Sequence, residues 1–378
     1  MKENLSIFSS IDIKDLVQDL QELLSQNNIS FLLGAGCSNK AGLPLMPQLT
    51  DEVLGHDVLS KKTEIILDSI RELFLGAKNA TIEDYMSELV DFLSIAQRRI
   101  QRGASKSEVS IGDNDHASEE LKDALNEIKK AIVSIVSKKE VDIAHHQRFV
   151  RAVHASLQAG KPRRMVDYII LNYDTLFEDA LGLEKIHYVD GFIGAATGWW
   201  EPSIFQNNEI EARVYKVHGS IDWCLLEGDT LPRRVRKGIN PDTSLEHVLI
   251  YPAATKYQES QRDPFAQLLN QVRKGLLPTE GNEKVLAICG YSFGDDHINI
   301  EIENALIQSK GRLTVAIFNK NDVPSGIIKK WIDNPAIADQ IRIYSNKGYF
   351  HSATKMELDE TLPWWKFEVL GRLLGGER

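Results

Sequence analysis

Residues 29–47, ISFLLGAGCSNKAGLPLMP, decide how the rest of the chain is read. A short, continuous, apolar run enters Gly34, Ala35 and Gly36, then Ser38, Gly42 and Pro44. Such a run suits a buried parallel strand. Glycines placed after it let backbone N–H groups approach a pyrophosphate, and a helix opening there adds partial positive charge. The six-residue dinucleotide fingerprint is nevertheless incomplete. Asn39 stands three residues after Gly36, and the third glycine comes only at Gly42. Taken alone, the loop reads equally as a strand ending in a tight turn.

Working outward, similar runs occur at 166–171 (VDYIIL), 213–217 (RVYKV), 247–251 (HVLIY), 285–289 (VLAIC), 313–318 (LTVAIF) and 341–344 (IRIY). They are mostly continuous, as expected of parallel strands covered on both sides. The predicted class is α/β, a Rossmann-like, mostly parallel sheet with helices on both faces, built from residues 1–60 and 160–350. Residues 61–159 read as a helical insertion. Within it TIEDYMSELVDFLSIAQRRI has apolar residues at 82, 85, 86, 89, 93 and 96, and ASEELKDALNEIKKAIVSIV has them at 121, 125, 128, 132 and 135. Both spacings are helical. The polar stretch QRGASKSEVSIGDNDHASEE between them is expected to be a mobile loop. Residues 351–378 read as a C-terminal helical segment.

With 378 residues, 43% of them hydrophobic, the chain has material for a sizeable core. The net charge of −10 offers no chain-wide positive field for nucleic acid, so the short basic cluster Arg233, Arg234, Arg236 and Lys237 reads as a solvated loop. Direct nucleic-acid binding is not expected. No window reaches the roughly 18 apolar residues of a membrane span, and the acidic N-terminal stretch is unlike a secretion signal. No membrane association and a cytoplasmic location are expected. Cys37, Cys224 and Cys289 form no CxxC pair, which argues against a disulfide framework or a four-cysteine zinc ribbon.

Four polar segments fall at carboxyl ends of expected strands, where open α/β sheets bind ligands: LNYDTLFEDAL (171–181), VHGSIDW (217–223), CGYSFGDDHIN (289–299) and FNKND (318–322). With them the chain resembles the sirtuin family. GAGCSNKAGLP is similar to the sirtuin GAG-x-S-x-x-x-AG-x-P loop, LNYD to the strand end with a catalytic Asn and an Asp two positions on, and HGSIDW to the catalytic-histidine HG motif. GYSFGDDHIN and FNK resemble segments of the sirtuin-like proteins of bacterial antiphage systems that border the adenosine part of NAD. The resemblance implies NAD as substrate, with Asn172 and His218 catalytic. Gly34, Ala35, Gly36, Cys37, Ser38 and Pro44 form the cofactor loop, the amides of Ala35, Gly36 and Cys37 bordering the pyrophosphate with Ser38. Gly290, Ser292, Asn319 and Lys320 lie toward adenosine.

An imidazole titrating near pH 6.5 suits His218 to a general base, and the Asn172 amide can hold both ribose and water. A core histidine and an Asx turn are the plainer readings of the same two residues. Asp174, a cofactor-side residue by resemblance, reads from its position as a loop or helix-capping group. Asp295, Asp296 and His297 look like a metal cluster, yet adjacent carboxylates before a helix fit caps. The pairs Trp199–Trp200 and Trp364–Trp365 suit packing or base stacking.

Two departures from sirtuin deacylases matter. Leu45, Met46 and Pro47 replace the Asp-Phe-Arg element, and Cys224 stands alone where two CxxC pairs would hold zinc. No zinc or other metal site is therefore expected. The resemblance implies an NAD glycohydrolase releasing nicotinamide and ADP-ribose as a defence effector, with a protein deacylase or a non-catalytic NAD or ADP-ribose sensor as alternatives. It also implies a homo-oligomer or a HerA-type, ring-shaped ATPase partner. The insertion and the stretch LPWWKFEVLGRLL are the expected docking surfaces.

Overall fold

A computed structural model of the chain describes residues 5–75, 80–137, 140–155, 165–236, 238–239, 245–249, 263–352 and 354–377. In chain order its strands begin with β1 (Ile29–Leu33), β2 (Val109–Ile111), β3 (Asn114–His116), β4 (Val166–Ile170) and β5 (Tyr188–Val189). Next come β6 (Phe192–Gly194), β7 (Gly198–Trp200), β8 (Ala212–Lys216), β9 (Gly219–Leu226), β10 (Arg233–Arg234) and β11 (Leu245–Leu249). The last are β12 (Lys284–Cys289), β13 (Leu313–Asn319), β14 (Ile341–Ser345), β15 (Gly348–His351) and β16 (Thr354–Glu357).

One nine-stranded sheet has the order β16-β15-β14-β13-β12-β1-β4-β8-β5. From β14 to β5 every pairing is parallel, and β15 and β16 close one edge antiparallel. The chain leaves β1 toward β4 on one side and later extends the sheet from β12 on the other. The topological switch, and with it the usual ligand crevice, lies at the carboxyl end of β1.

Side chains alternate across this sheet into two cores. Ile29, Phe31 and Leu33 of β1 face helices Ile11–Leu24, Ala144–His154, Leu176–Leu183 and Phe367–Leu374. Leu32, Leu286 and Ile288 face helices Phe265–Leu276, Asp296–Ser309 and Gly326–Ile332. The α/β, Rossmann-like architecture with both faces covered is therefore as expected.

Several local expectations are corrected. The run 247–251 does not join the parallel sheet: β11 pairs antiparallel with β9 in a second sheet, β11-β9-β10-β7-β6, and residues 250–251 lie outside the described ones. Gly219 has φ +85°, which turns the chain from β8 directly into β9, and a Cβ there would stand 2.4 Å from the Val248 carbonyl oxygen. Leu245 to Val248 are only half-buried, as befits a sheet with one solvated face.

Helices Met46–Leu54, Lys61–Leu73, Ile82–Gln101 and Ser118–Val136 share a third core, including Leu49, Val53, Ile70, Met86, Leu89 and Ile128. That helical unit thus includes residues before 61, while Ala144–His154 packs on the main sheet instead. The supposed mobile loop contains the hairpin β2–β3, whose Val109 and Ile111 are buried around an exposed Ser110. This is a two-residue alternation, a period distinct from the helical spacing on either side of it.

The segment 351–378 contains β16 before its helix, and Trp364, Phe367, Val369, Leu370 and Leu373 are buried in the chain's own core. The stretch LPWWKFEVLGRLL is accordingly not a free docking surface. The basic cluster is likewise used internally: Arg234 pairs with Asp190 and Asp222 and lies 4.8 Å from the Phe192 ring, and Arg233 pairs with Asp229. Lys237 lies outside the described residues. No helix among the described residues is long and apolar enough to cross a membrane.

Candidate functional site

The carboxyl ends of β1, β4, β8, β12 and β13 surround a cavity of about 990 Å³. Gly34, Ala35, Gly36, Ser38, Pro44, Asn172, Asp174, His218, Gly290, Ser292, Asn319 and Lys320 all line it. Cys37 does not. Its thiol points into the core, donates to the Cys289 carbonyl at 3.3 Å, and is held well above the usual thiol range by burial.

Asn172 follows β4 and His218 follows β8, and the two loops are tied together. The Tyr173 carbonyl accepts from the Ile221 N–H at 2.9 Å and from the Ser220 hydroxyl at 3.2 Å. Behind Asn172 runs a buried chain: its Nδ2 donates to Ser38 Oγ at 2.8 Å, and Ser38 Oγ donates to Asp174 Oδ2 at 2.7 Å. Asp174 Oδ1 accepts the Leu176 N–H at 3.1 Å, opening the next helix as its position suggested. Ser38 is therefore a link to Asn172, and its hydroxyl hydrogen is committed to Asp174. With Nδ2 so engaged, Asn172 keeps a buried Oδ1 that accepts from no group among the described residues.

Beneath this chain Lys216 is fully buried, donating to the Asp174 carbonyl and pairing with Glu178 at 3.2 Å. Burial pushes the Glu178 carboxyl up to about 7, with Lys216 opposing that rise.

The glycine loop departs from expectation. The Gly36 N–H donates to the Gly290 carbonyl at 2.9 Å and the Cys37 N–H to the Gly34 carbonyl at 2.9 Å. Of the three amides expected at a pyrophosphate, only that of Ala35 has no such bond among the described residues. The glycines answer a different need. A Cβ on Gly34 would lie 2.5 Å from the Gly290 oxygen, and one on Gly290, at φ +68°, 2.6 Å from the Cys37 nitrogen. The turns after β1 and β12 are pressed backbone to backbone.

At the far end Asn319 is buried, with Oδ1 accepting the Asn321 N–H at 3.2 Å and Nδ2 unengaged among the described residues. Ser292 and Lys320 are exposed at the rim. Trp365 lines the cavity, whereas Trp364 and Trp200 are core residues and Trp199 is an exposed one outside it. Reasoning from sequence missed Glu83 and Val136 of the insertion and Lys366 to Glu368, which complete the walls. They carry no local motif; only tertiary packing brings them there.

Asp295 and Asp296 stand at the helix N-terminus, as their sequence positions suggested. Asp295 occupies the N-cap position of helix Asp296–Ser309, but its carboxylate makes no capping bond. Instead, one ligand atom each from His218, Asp295 and His297 lie within 4.8 Å of one another, and the Nε2 atoms of His218 and His297 are 3.4 Å apart.

One family model matches part of the chain. Residues 167–337 match the family model described as a SIR2-like domain. The match covers Asn172, His218, the 289–299 segment and Asn319, and it begins after the glycine loop. It supports a sirtuin-like protein with NAD-related activity. No curated protein matches the chain.

Proposed function

We propose that the chain is an NAD glycohydrolase that releases nicotinamide and ADP-ribose. The observation that carries this reading is the buried, unengaged Asn172 Oδ1, fixed from behind by Ser38 and Asp174 in the cavity that His218 also lines. A cavity of about 990 Å³ is at the large end for cofactor-sized ligands.

The glycosidic bond to a pyridinium breaks through an oxocarbenium-like ribose, so orientation and charge stabilisation matter more than acid at the leaving group. Asn172 Oδ1 accepts a hydrogen bond from the attacking water or a ribose hydroxyl. Water oxygen bonds to the ribose C1′, its proton passes to His218, and the C1′–N bond pair leaves with nicotinamide, which departs neutral. Asn319 Nδ2 is a donor for the distant half of the dinucleotide. The loop after Pro44 lacks the deacylase element, which favours water over an acyl-lysine as acceptor.

Following the resemblance, the activity serves antiphage defence in the cytoplasm, silent until homo-oligomerisation or a HerA-type ATPase partner engages the chain. No zinc ribbon is needed for it.

His218→Ala and Asn172→Ala should lower nicotinamide release by about two to four orders of magnitude. NAD affinity by calorimetry should change little, as for interactions made mainly in the transition state. Wild-type turnover in both variants overturns the assignment. NAD binding with no nicotinamide released by the wild type, alone or with its partner, favours a sensor instead.

A further inference from the structure

We infer that His218, Asp295 and His297 form a site for a divalent transition-metal cation of the Zn²⁺ class, and that occupancy silences the site by occupying His218. The silencing half rests on the NAD-cleavage reading; the cation site does not.

Two imidazoles and one carboxylate are the donor set of zinc sites that keep an open fourth position. The 3.4 Å between the two Nε2 atoms is long beside the usual 2.9–3.0 Å of an N–H hydrogen bond. It matches the separation of about 3.3 Å between two ligands held tetrahedrally at about 2.05 Å from zinc. The third ligand atom is near, all three lying within 4.8 Å of one another.

Asp295 is held for this role. Its N–H donates to Tyr291 Oη at 3.1 Å, and Tyr291 Oη donates to its carbonyl at 3.1 Å, so the backbone is pinned from both sides. The carboxylate makes no capping bond, and one of its oxygens lies within 4.8 Å of an imidazole nitrogen of His218 and of His297. The partial positive charge of the helix N-terminus opposes a cation here, and the neighbouring Asp296 carboxylate offsets it. His218 and Asp295 both line the cavity, so a cation held between them would lie at its wall. A cation on His218 Nε2 takes the lone pair with which that nitrogen would accept a proton. Three ligands, one of them requiring movement, make an exchangeable site and not a structural one.

The test uses untagged, full-length protein stripped with EDTA, titrated with Co²⁺ by visible spectroscopy and with Zn²⁺ by calorimetry. One equivalent should bind. His297→Asn and Asp295→Asn, each shown by circular dichroism to be folded, should each weaken Zn²⁺ binding at least tenfold. Zn²⁺ should inhibit nicotinamide release by the wild type, reversibly with EDTA, and should spare His297→Asn relative to that variant's own metal-free rate. No Co²⁺ uptake by the wild type, or undiminished Zn²⁺ affinity in both variants, overturns the inference. Metal binding as expected, in a chain that never releases nicotinamide, upholds the site and removes the NAD-cleavage reading.

Discussion

Ser38 shows how much of the candidate site hangs on one hydroxyl. It accepts from Asn172 and donates to Asp174, so Ser38→Ala strands an amide hydrogen and a carboxylate oxygen in a buried setting. The expected loss is about 1–3 kcal/mol of stability, read as a lower denaturation midpoint. Nicotinamide release should fall further than NAD affinity, because Asn172 loses its orientation while the rest of the cavity is unchanged. Equal loss of affinity and turnover would instead mean that Ser38 touches the ligand. The sequence made Ser38 visible, since serine after a glycine loop invites a ligand role. It could not show that the partner was Asp174, because the two residues lie on different strand ends that only the parallel pairing of β1 and β4 brings together.

Among the elements, the turns after β1 and β12 are the tightest junction. Gly290→Ala combines φ +68° with a Cβ 2.6 Å from the Cys37 nitrogen, so the backbones must separate. A stability loss above about 1 kcal/mol is expected, visible as a lower melting temperature, together with weakened NAD binding. An unchanged melting temperature would contradict the close approach. The central parallel strands were legible because their runs are mostly continuous and apolar. Short pieces such as β6, β7 and β10 were not, since two or three residues carry no period.

A second junction joins helices Ala144–His154 and Phe367–Leu374, where His146 is buried with its ring 5.0 Å from Phe367. Burial lowers its pKa to about 4, Asp174 and Asp142 opposing and His145 reinforcing the shift. In the unfolded chain it titrates near 6.5. Stability from this group is therefore full above about pH 6.5 and is lost as pH falls toward about 4, by up to about 1.4 kcal/mol per pH unit. His146→Leu should flatten the fall in melting temperature between pH 6.5 and 4.5. An equally steep fall in the variant would assign the acid sensitivity elsewhere.

For the whole molecule, the helical periodicity read over residues 61–159 falls on helices that share one core with Met46–Leu54, a helix amphipathic in the same way but before residue 61. Of the two candidate docking surfaces, the C-terminal one is buried in the chain's own core, because an amphipathic helix looks the same whether its apolar face meets its own sheet or another chain. With the C-terminal helix packed inward, the insertion remains the candidate for assembly, and Ile65, Leu73 and Leu75 on it are exposed. Light scattering should show a homo-oligomer, and Leu73→Glu with Leu75→Glu should dissociate it and lower NAD cleavage. A monodisperse monomer, fully active and indifferent to a partner, would rule this control out.

The cavity wall formed by residues 365–368 has a consequence for biosynthesis. The glycine loop, Asn172 and His218 are translated long before that wall exists. A nascent chain carrying every reactive group still has an open-sided crevice until the ribosome has passed residue 368 and helix Phe367–Leu374 has docked. Translation order thereby delays a closed cavity until residues 365–368 have been made and their helix has docked.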